Sequence, residues 1–315
     1  MRLLVTRPMT ARATQAIRDR FDATFRDNTP LSESEAAAAL RDYDAIMPTL
    51  GDAFTATAFA DQPRCRILAN FGAGYNHIDT AAAKAAGVVV TNTPDVVTDA
   101  TADIAVMLIL MTLRRASEGE RILRAGQWTG WNPTQLLGGH ATSRTLGIVG
   151  MGRIGQAIAR RCHYGFGMDV MFFNRSTVAG LDFPARQIGG LEAMLEQADV
   201  AVLAVPGGAG TRHLIGAAQL AALGPRGYLV NIARGDVVDE AALIQALQDG
   251  VIAGAGLDVY EREPLVPQGL LDAPNATLLP HLGTATDDTR TAMALRALDN
   301  LIAFAEGRDP HDPLN

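Results

Sequence analysis

Three segments in the second half of the chain each place a polar side chain just after a run of apolar residues. "NIARGDVVDE" carries Arg234, "GLDVYEREPL" carries Asp258 and Glu263, and "LLPHLGTAT" carries His281. Arginine, carboxylate and histidine together suit hydride transfer to a 2-oxo acid. That reaction needs an anchor for the carboxylate, a proton donor for the carbonyl oxygen and a group that keeps the donor charged. Arg234 offers a fixed fork of N–H donors that can hold a carboxylate and polarise the neighbouring carbonyl. Histidine titrates near neutrality, so His281 suits the proton transfer. Glu263, hydrogen-bonded to His281, would stabilise the imidazolium and orient the ring. Singly, each has a structural alternative: a surface arginine at a helix start, a turn carboxylate before Pro264, a core histidine. Their order behind a glycine-rich turn favours chemistry.

That turn is "GIVGMGRIGQAIARR", with Gly150, Gly152 and Gly155 between an apolar strand and an amphipathic helix. The spacing predicts a dinucleotide site: Gly150 for the tight turn, Gly152 for room beside a pyrophosphate, Gly155 for close helix packing. Arg153 and Ile154 would lie along the pyrophosphate. Where such sites commonly carry an acid for the ribose 2′-hydroxyl, this chain has Asn174, Arg175 and Ser176. An acid would repel a 2′-phosphate, whereas these residues can bind one, so charge logic favours NADPH over NADH. The structural alternative is that Arg175 is a solvated surface charge.

Along the whole chain, apolar strand-like runs alternate with Ala-rich helical stretches, the pattern of parallel sheets covered by helices. Strands are expected at 2–6, 43–47, 65–70 and 88–91, then at 145–150, 169–174, 199–205, 227–233, 254–259 and 276–281. Helices are expected at 100–115 and 287–306. The fold class is therefore α/β, with two doubly wound parallel-sheet domains and a cleft between them. Residues 1–98 plus 288–315 form a flavodoxin-like substrate domain, and residues 99–287 a Rossmann dinucleotide-binding domain. In the first domain "NFGAGYNHID" puts Gly72, Ala73 and Gly74 at a strand end, a backbone nest able to cradle a carboxylate. Leu50, after another strand, would face a short substrate.

The 315 residues carry a formal charge of −7, which argues against nucleic-acid or anionic-membrane partners and leaves a small-molecule substrate as the better expectation. The longest apolar run, 104–113, falls short of the ~20 residues of a membrane span, and no signal-peptide pattern opens the chain. With two isolated cysteines, Cys65 and Cys162, a reducing, cytoplasmic setting is expected.

These motifs resemble, over essentially the whole chain, the D-isomer-specific 2-hydroxyacid dehydrogenase family. "GQWTGWNPTQLLGGH" is similar to its glyoxylate and hydroxypyruvate reductase branch. The resemblance implies Arg234 as substrate anchor, His281 as acid/base and Glu263 as its partner. It implies that Asp258 holds the nicotinamide amide, that Ile232, Ala233 and Gly283 line the nicotinamide pocket, and that Val205, Pro206 and Thr211 contact the cofactor. It further implies a homodimer whose interface involves residues 99–120, with Trp131 or Trp128 reaching the neighbouring subunit's substrate. One departure is "VPGGAGT", where Gly207 and Gly208 replace the family's usual Leu and Thr or Ser, implying a more open adenosine-side loop. Alternatives that stay open are a larger 2-oxo acid, phosphite, NADH as cofactor, and a redox-sensing regulatory protein.

Overall fold

The computed structural model describes residues 1–315. In chain order the elements are β1 (Arg2–Val5), α1 (Ala11–Arg18), β2 (Asp22–Phe25), α2 (Glu33–Asp42), β3 (Ala45–Met47), β4 (Ile67–Ala69), α3 (Thr80–Ala85) and β5 (Val89–Thr91). There follow α4 (Thr98–Leu113), α5 (Ala116–Arg124), β6 (Thr145–Val149), α6 (Arg153–Phe166), β7 (Asp169–Phe173), β8 (Arg186–Gln187), α7 (Leu191–Leu195), β9 (Val200–Leu203) and α8 (Ala217–Leu223). The last are β10 (Tyr228–Asn231), α9 (Glu240–Gln248), β11 (Gly254–Leu257), α10 (Gln268–Leu271), β12 (Ala276–Leu278) and α11 (Asp287–Ala305). The chain divides into two compact units, Met1–Val97 with Thr284–Asn315, and Thr98–Gly283.

The first unit holds a five-stranded sheet in the order β2-β1-β3-β4-β5, with every pair parallel. Strands β3 and β4 are buried throughout, so their apolar runs do not alternate. One core layer joins Leu3, Val5, Ile67 and Ala69 to Ile17 of α1 and Ala297, Leu298 and Leu301 of α11. This answers where the amphipathic C-terminal helix packs: the chain returns to the sheet with which it began.

The second unit holds seven parallel strands in the order β12-β11-β10-β9-β6-β7-β8. Strand order reverses between β6 and β9, and ligands of open α/β sheets bind at the strand carboxyl ends beside such a switch point. The sheet is covered by helices on both faces. Ile148, Val202 and Phe172 pack under α4 and α6, while Val149, Ala201 and Leu203 face α7, α8 and α9. Each large apolar side chain taken from water here contributes about 1.5–3 kcal/mol. No helix is long and apolar enough to cross a membrane.

Two strands, β2 and β8, lie outside the sequence expectation. Both are edge strands, short and exposed at alternate residues, so neither needs the apolar run that marks a buried strand. The expected strands also overrun the observed ones at their carboxyl ends. The residues in excess, such as 232–233, 258–259 and 279–281, have left the sheet and carry the candidate site.

Candidate active site

Strand β6 ends at Val149, and the chain turns at once into α6. Gly150 has φ +100°, and a β-carbon there would lie 2.7 Å from the carbonyl oxygen of Ala204. One on Gly155 would lie 2.2 Å from the carbonyl oxygen of Gly150, so the helix can sit this close only without a side chain. Gly152, by contrast, is exposed, and a β-carbon there would meet nothing within 4 Å. Helices α1, α2, α3, α9 and α11 all start under a Thr, Ser or Asp cap, whereas α6 starts from Gly152 with no side chain on its first N–H groups. A helix start without a side-chain cap and open space at Gly152 together fit a pyrophosphate. Arg153 is exposed and Ile154 half-buried on the first turn of α6.

After β7, the Asn174 amide donates to the backbone oxygen of Ser176 (3.0 Å) and to its hydroxyl (3.2 Å). From β8, Gln187 braces the same turn by donating to Ser176 O (3.0 Å) and accepting from Val178 N (3.0 Å). Asn174 thus braces the turn on which Arg175 and Ser176 stand. Arg175 is exposed and forms no ion pair, which leaves its guanidinium as the cation at this position. The loop after β9 carries Val205 and Pro206. Thr211 is buried, its hydroxyl donating inward to Pro206 O (2.7 Å) and Gly208 O (3.2 Å).

The ends of β10, β11 and β12 carry the remaining groups. Asn231 closes the turn after β10, accepting from Ala233 N (3.0 Å) and donating to Arg234 O (2.9 Å). Ile232 and Ala233 are buried, and Arg234 Nη1 donates to Ala233 O at 2.6 Å. Burial pulls the Arg234 guanidinium below its ordinary pKa, against the opposing charges of Glu263 and Asp236. Asp258 is buried; its carboxylate accepts from Leu282 N (2.6 Å) and Gly283 N (2.8 Å), and its carbonyl accepts from His281 N (2.9 Å). These three bonds hold His281 in the left-handed region, φ 54°, an uncommon conformation for a side chain of this size.

Nδ1 of His281 lies 2.8 Å from Oε2 of Glu263, and Oε1 of Glu263 accepts from Tyr260 N at 3.0 Å. With Nδ1 donating to the carboxylate, Nε2 is the ring atom left to exchange a proton. Burial alone would push the Glu263 carboxyl up. The hydrogen bond and charge of His281, the Tyr260 N–H and Arg234 outweigh it, and the group is held below its ordinary value. Both side chains remain about 30% exposed, 31% for His281 and 28% for Glu263, so a small ligand has access to the pair.

In the first unit, Leu50 is exposed on the loop after β3. Gly72, Ala73 and Gly74 follow β4, and two residues that sequence reasoning did not single out shape them. The buried Asn70 amide donates to Gly72 O (2.9 Å) and Gly74 O (3.0 Å), and Asn92 donates to Ala73 O (2.8 Å). With the carbonyls drawn to these amides, no acceptor of the chain engages the N–H groups of Ala73 and Gly74, which suits an anion cradle. The available signal was an asparagine closing an apolar run before a glycine turn, seen in "AN" at 69–70 and again in "VN" at 230–231. Trp131 is 82% exposed and Trp128 54%, so neither is a core aromatic. Helix α5, which precedes them, buries none of its residues.

Residues 106–283 match the family model for the D-isomer specific 2-hydroxyacid dehydrogenase NAD binding domain. The chain is 40% identical to a glyoxylate reductase of Thermococcus onnurineus and 41% identical to one of Korarchaeum cryptofilum, in each case over all of this chain and 96% of the relative. Among solved structures it is similar to an NADPH-dependent glyoxylate/hydroxypyruvate reductase of Sinorhizobium meliloti, seen in complex with NADP and malonate. That likeness has a TM-score of 0.89 and 40% identity, covering 99% of this chain and 96% of the other. A glyoxylate reductase of Paecilomyes thermophila gives 0.88 at 34% identity, covering 99% and 97%.

Proposed function

The chain belongs to the D-isomer-specific 2-hydroxyacid dehydrogenase family and is an NAD(P)-dependent dehydrogenase, and from that premise we propose that it reduces glyoxylate or hydroxypyruvate, with NADPH as preferred cofactor. The observation that carries this is the His281–Glu263 pair, 2.8 Å apart and open to a small ligand, in the unit that also carries Arg234 and the glycine turn. The names of the relatives support the substrate class.

The first turn of α6 and the Gly150–Gly155 turn would hold the pyrophosphate, with Arg175 and Ser176 beside a 2′-phosphate. Bound nicotinamide supplies a hydride to C2 of the substrate. Arg234 holds the carboxylate and draws electron density from the adjacent carbonyl. His281 Nε2 gives its proton to the carbonyl oxygen as charge develops there, and Glu263 steadies the imidazolium. In this reading the first unit is the substrate domain, its Gly72–Gly74 nest offering N–H groups to an anion. A second copy of the chain covers α5 and the exposed Leu123, Trp128, Trp131 and Leu137. Sedimentation at micromolar concentration should give a dimer, and a monomer there would refute this part.

The test of the function is steady-state turnover on a panel of 2-oxo acids with NADPH and with NADH. Glyoxylate or hydroxypyruvate with NADPH should give the highest kcat/KM; negligible rates with every acid would turn the reading toward a cofactor sensor. In His281→Ala, kcat should fall about 10²- to 10⁴-fold while the NADPH Kd moves little. Undiminished turnover would remove His281 as proton donor.

A further inference from the structure

We infer that Gly207 is a positioning residue for Arg234, fixing where the carboxylate anchor stands through its lack of a side chain. A β-carbon built on Gly207 would lie 2.6 Å from Cγ of Arg234, 3.3 Å from its Cβ and 3.7 Å from its Cδ. The methylene stem of the arginine therefore lies directly on the 207 backbone. The atoms in the way are the inner ones, which a terminal rotamer change cannot move aside. On the other side, Nη1 is tied to Ala233 O at 2.6 Å.

The loop beneath the stem has little freedom to retreat. Thr211 ties Pro206 O and Gly208 O with its hydroxyl, and the N–H groups of Thr211 and Arg212 both donate to Gly208 O, at 3.0 and 3.1 Å. One step earlier, Ala204 and Val205 are pressed against Gly150. Gly207 itself lies outside the left-handed region, so its backbone accepts any residue and the missing side chain serves only the contact. At Gly207 the double glycine brings loop backbone onto the anchor. A group added at 207 displaces the guanidinium, and small displacements of a substrate-positioning group cost large factors in rate.

This inference rests on Arg234 as carboxylate anchor, and the test separates the two. Gly207→Ala should raise the KM for glyoxylate about 10-fold or more, with the NADPH Kd and the melting temperature little changed. In an Arg234→Ala background, Gly207→Ala should change kcat/KM less than about 2-fold, because the stem it obstructs is gone. If Arg234→Ala is strongly impaired while Gly207→Ala retains its KM, Gly207 does not position the anchor. The positioning role is equally overturned if Gly207→Ala costs as much with and without Arg234, or weakens NADPH as much as substrate. If Arg234→Ala itself leaves KM unchanged, the anchor assignment falls and the positioning role falls with it.

Discussion

In the proposed function, Arg175 stands where two cofactors differing by one phosphate would be told apart. Its neighbour Asn174 is occupied with Ser176, so the discrimination should rest largely on one guanidinium. A hydrogen bond to a charged group is worth about 1.5–3 kcal/mol, and tenfold corresponds to about 1.4. Arg175→Ala should therefore lower the ratio of kcat/KM with NADPH to that with NADH about tenfold or more; an unchanged ratio would assign selectivity elsewhere. Glu263 offers a second measurement at this scale. Its folded-state pKa lies below its ordinary 4.5, so the charged carboxylate faces His281 at neutral pH, and what it adds to stability is lost only as pH falls through the lowered value. Glu263→Gln removes the counter-charge of the imidazolium. The high-pH limb of reductive kcat/KM should move to lower pH, and a limb that stays in place would break the pairing.

The turn at 260–263, which carries Glu263, is held from beneath by the first residue of α9. Glu240 is buried and its carboxylate accepts from Glu261 N at 2.8 Å. Burial, reinforced by the charges of Glu261 and Glu263, pushes the Glu240 carboxyl up against the opposing Glu261 N–H and Arg262. Gly235 adds a second constraint: a β-carbon there would fall 1.8 Å from the carbonyl carbon of Tyr260, so this turn packs backbone against backbone. Glu240→Ala would leave the Glu261 N–H without its partner, a cost of about 1–3 kcal/mol. A lower melting temperature and a lower kcat are expected, with the NADPH Kd nearly unchanged. Glu240→Gln keeps an acceptor and should restore most of kcat; an equal loss in both variants would point to the charge instead.

At the scale of the whole chain, the last residues close the sheet opened by the first. Leu314 N donates to Val90 O (2.8 Å), and the Asn315 side chain accepts from Val90 N (2.9 Å) and donates to Val88 O (3.0 Å), which covers the free edge at β5. The tail is clamped by Asp312, which accepts from Arg296 at 2.7 and 2.8 Å and from Asn300 at 2.9 Å. Burial pushes the Asp312 carboxyl up, but Arg296 and Asn300 prevail and hold it below its ordinary 3.8. A depressed carboxylate stabilises the fold above its ordinary pKa and loses that contribution as pH falls through the depressed value. Asp312→Asn should thus lower the melting temperature at neutral pH, with the gap to the unaltered protein narrowing in acid. A gap that is the same at all pH values would show that charge plays no part.

The sequence by itself determined the alternation of buried strands and helices and the glycine turn into α6, and it offered Arg234, Glu263 and His281 as candidates for the chemistry. Each of these is a local matter of apolar period, glycine spacing or side-chain type. Edge strands β2 and β8 escaped because a strand with one free side need not be apolar. Tertiary structure supplied the contacts that bring these residues together. Glu263 meets His281, Asp258 holds Gly283 and the stem of Arg234 lies on Gly207 only because β9, β10, β11 and β12 are neighbours whose carboxyl ends stand side by side. Strand order is set by packing and crossover geometry across long separations, and no local pattern encodes which loop will touch which.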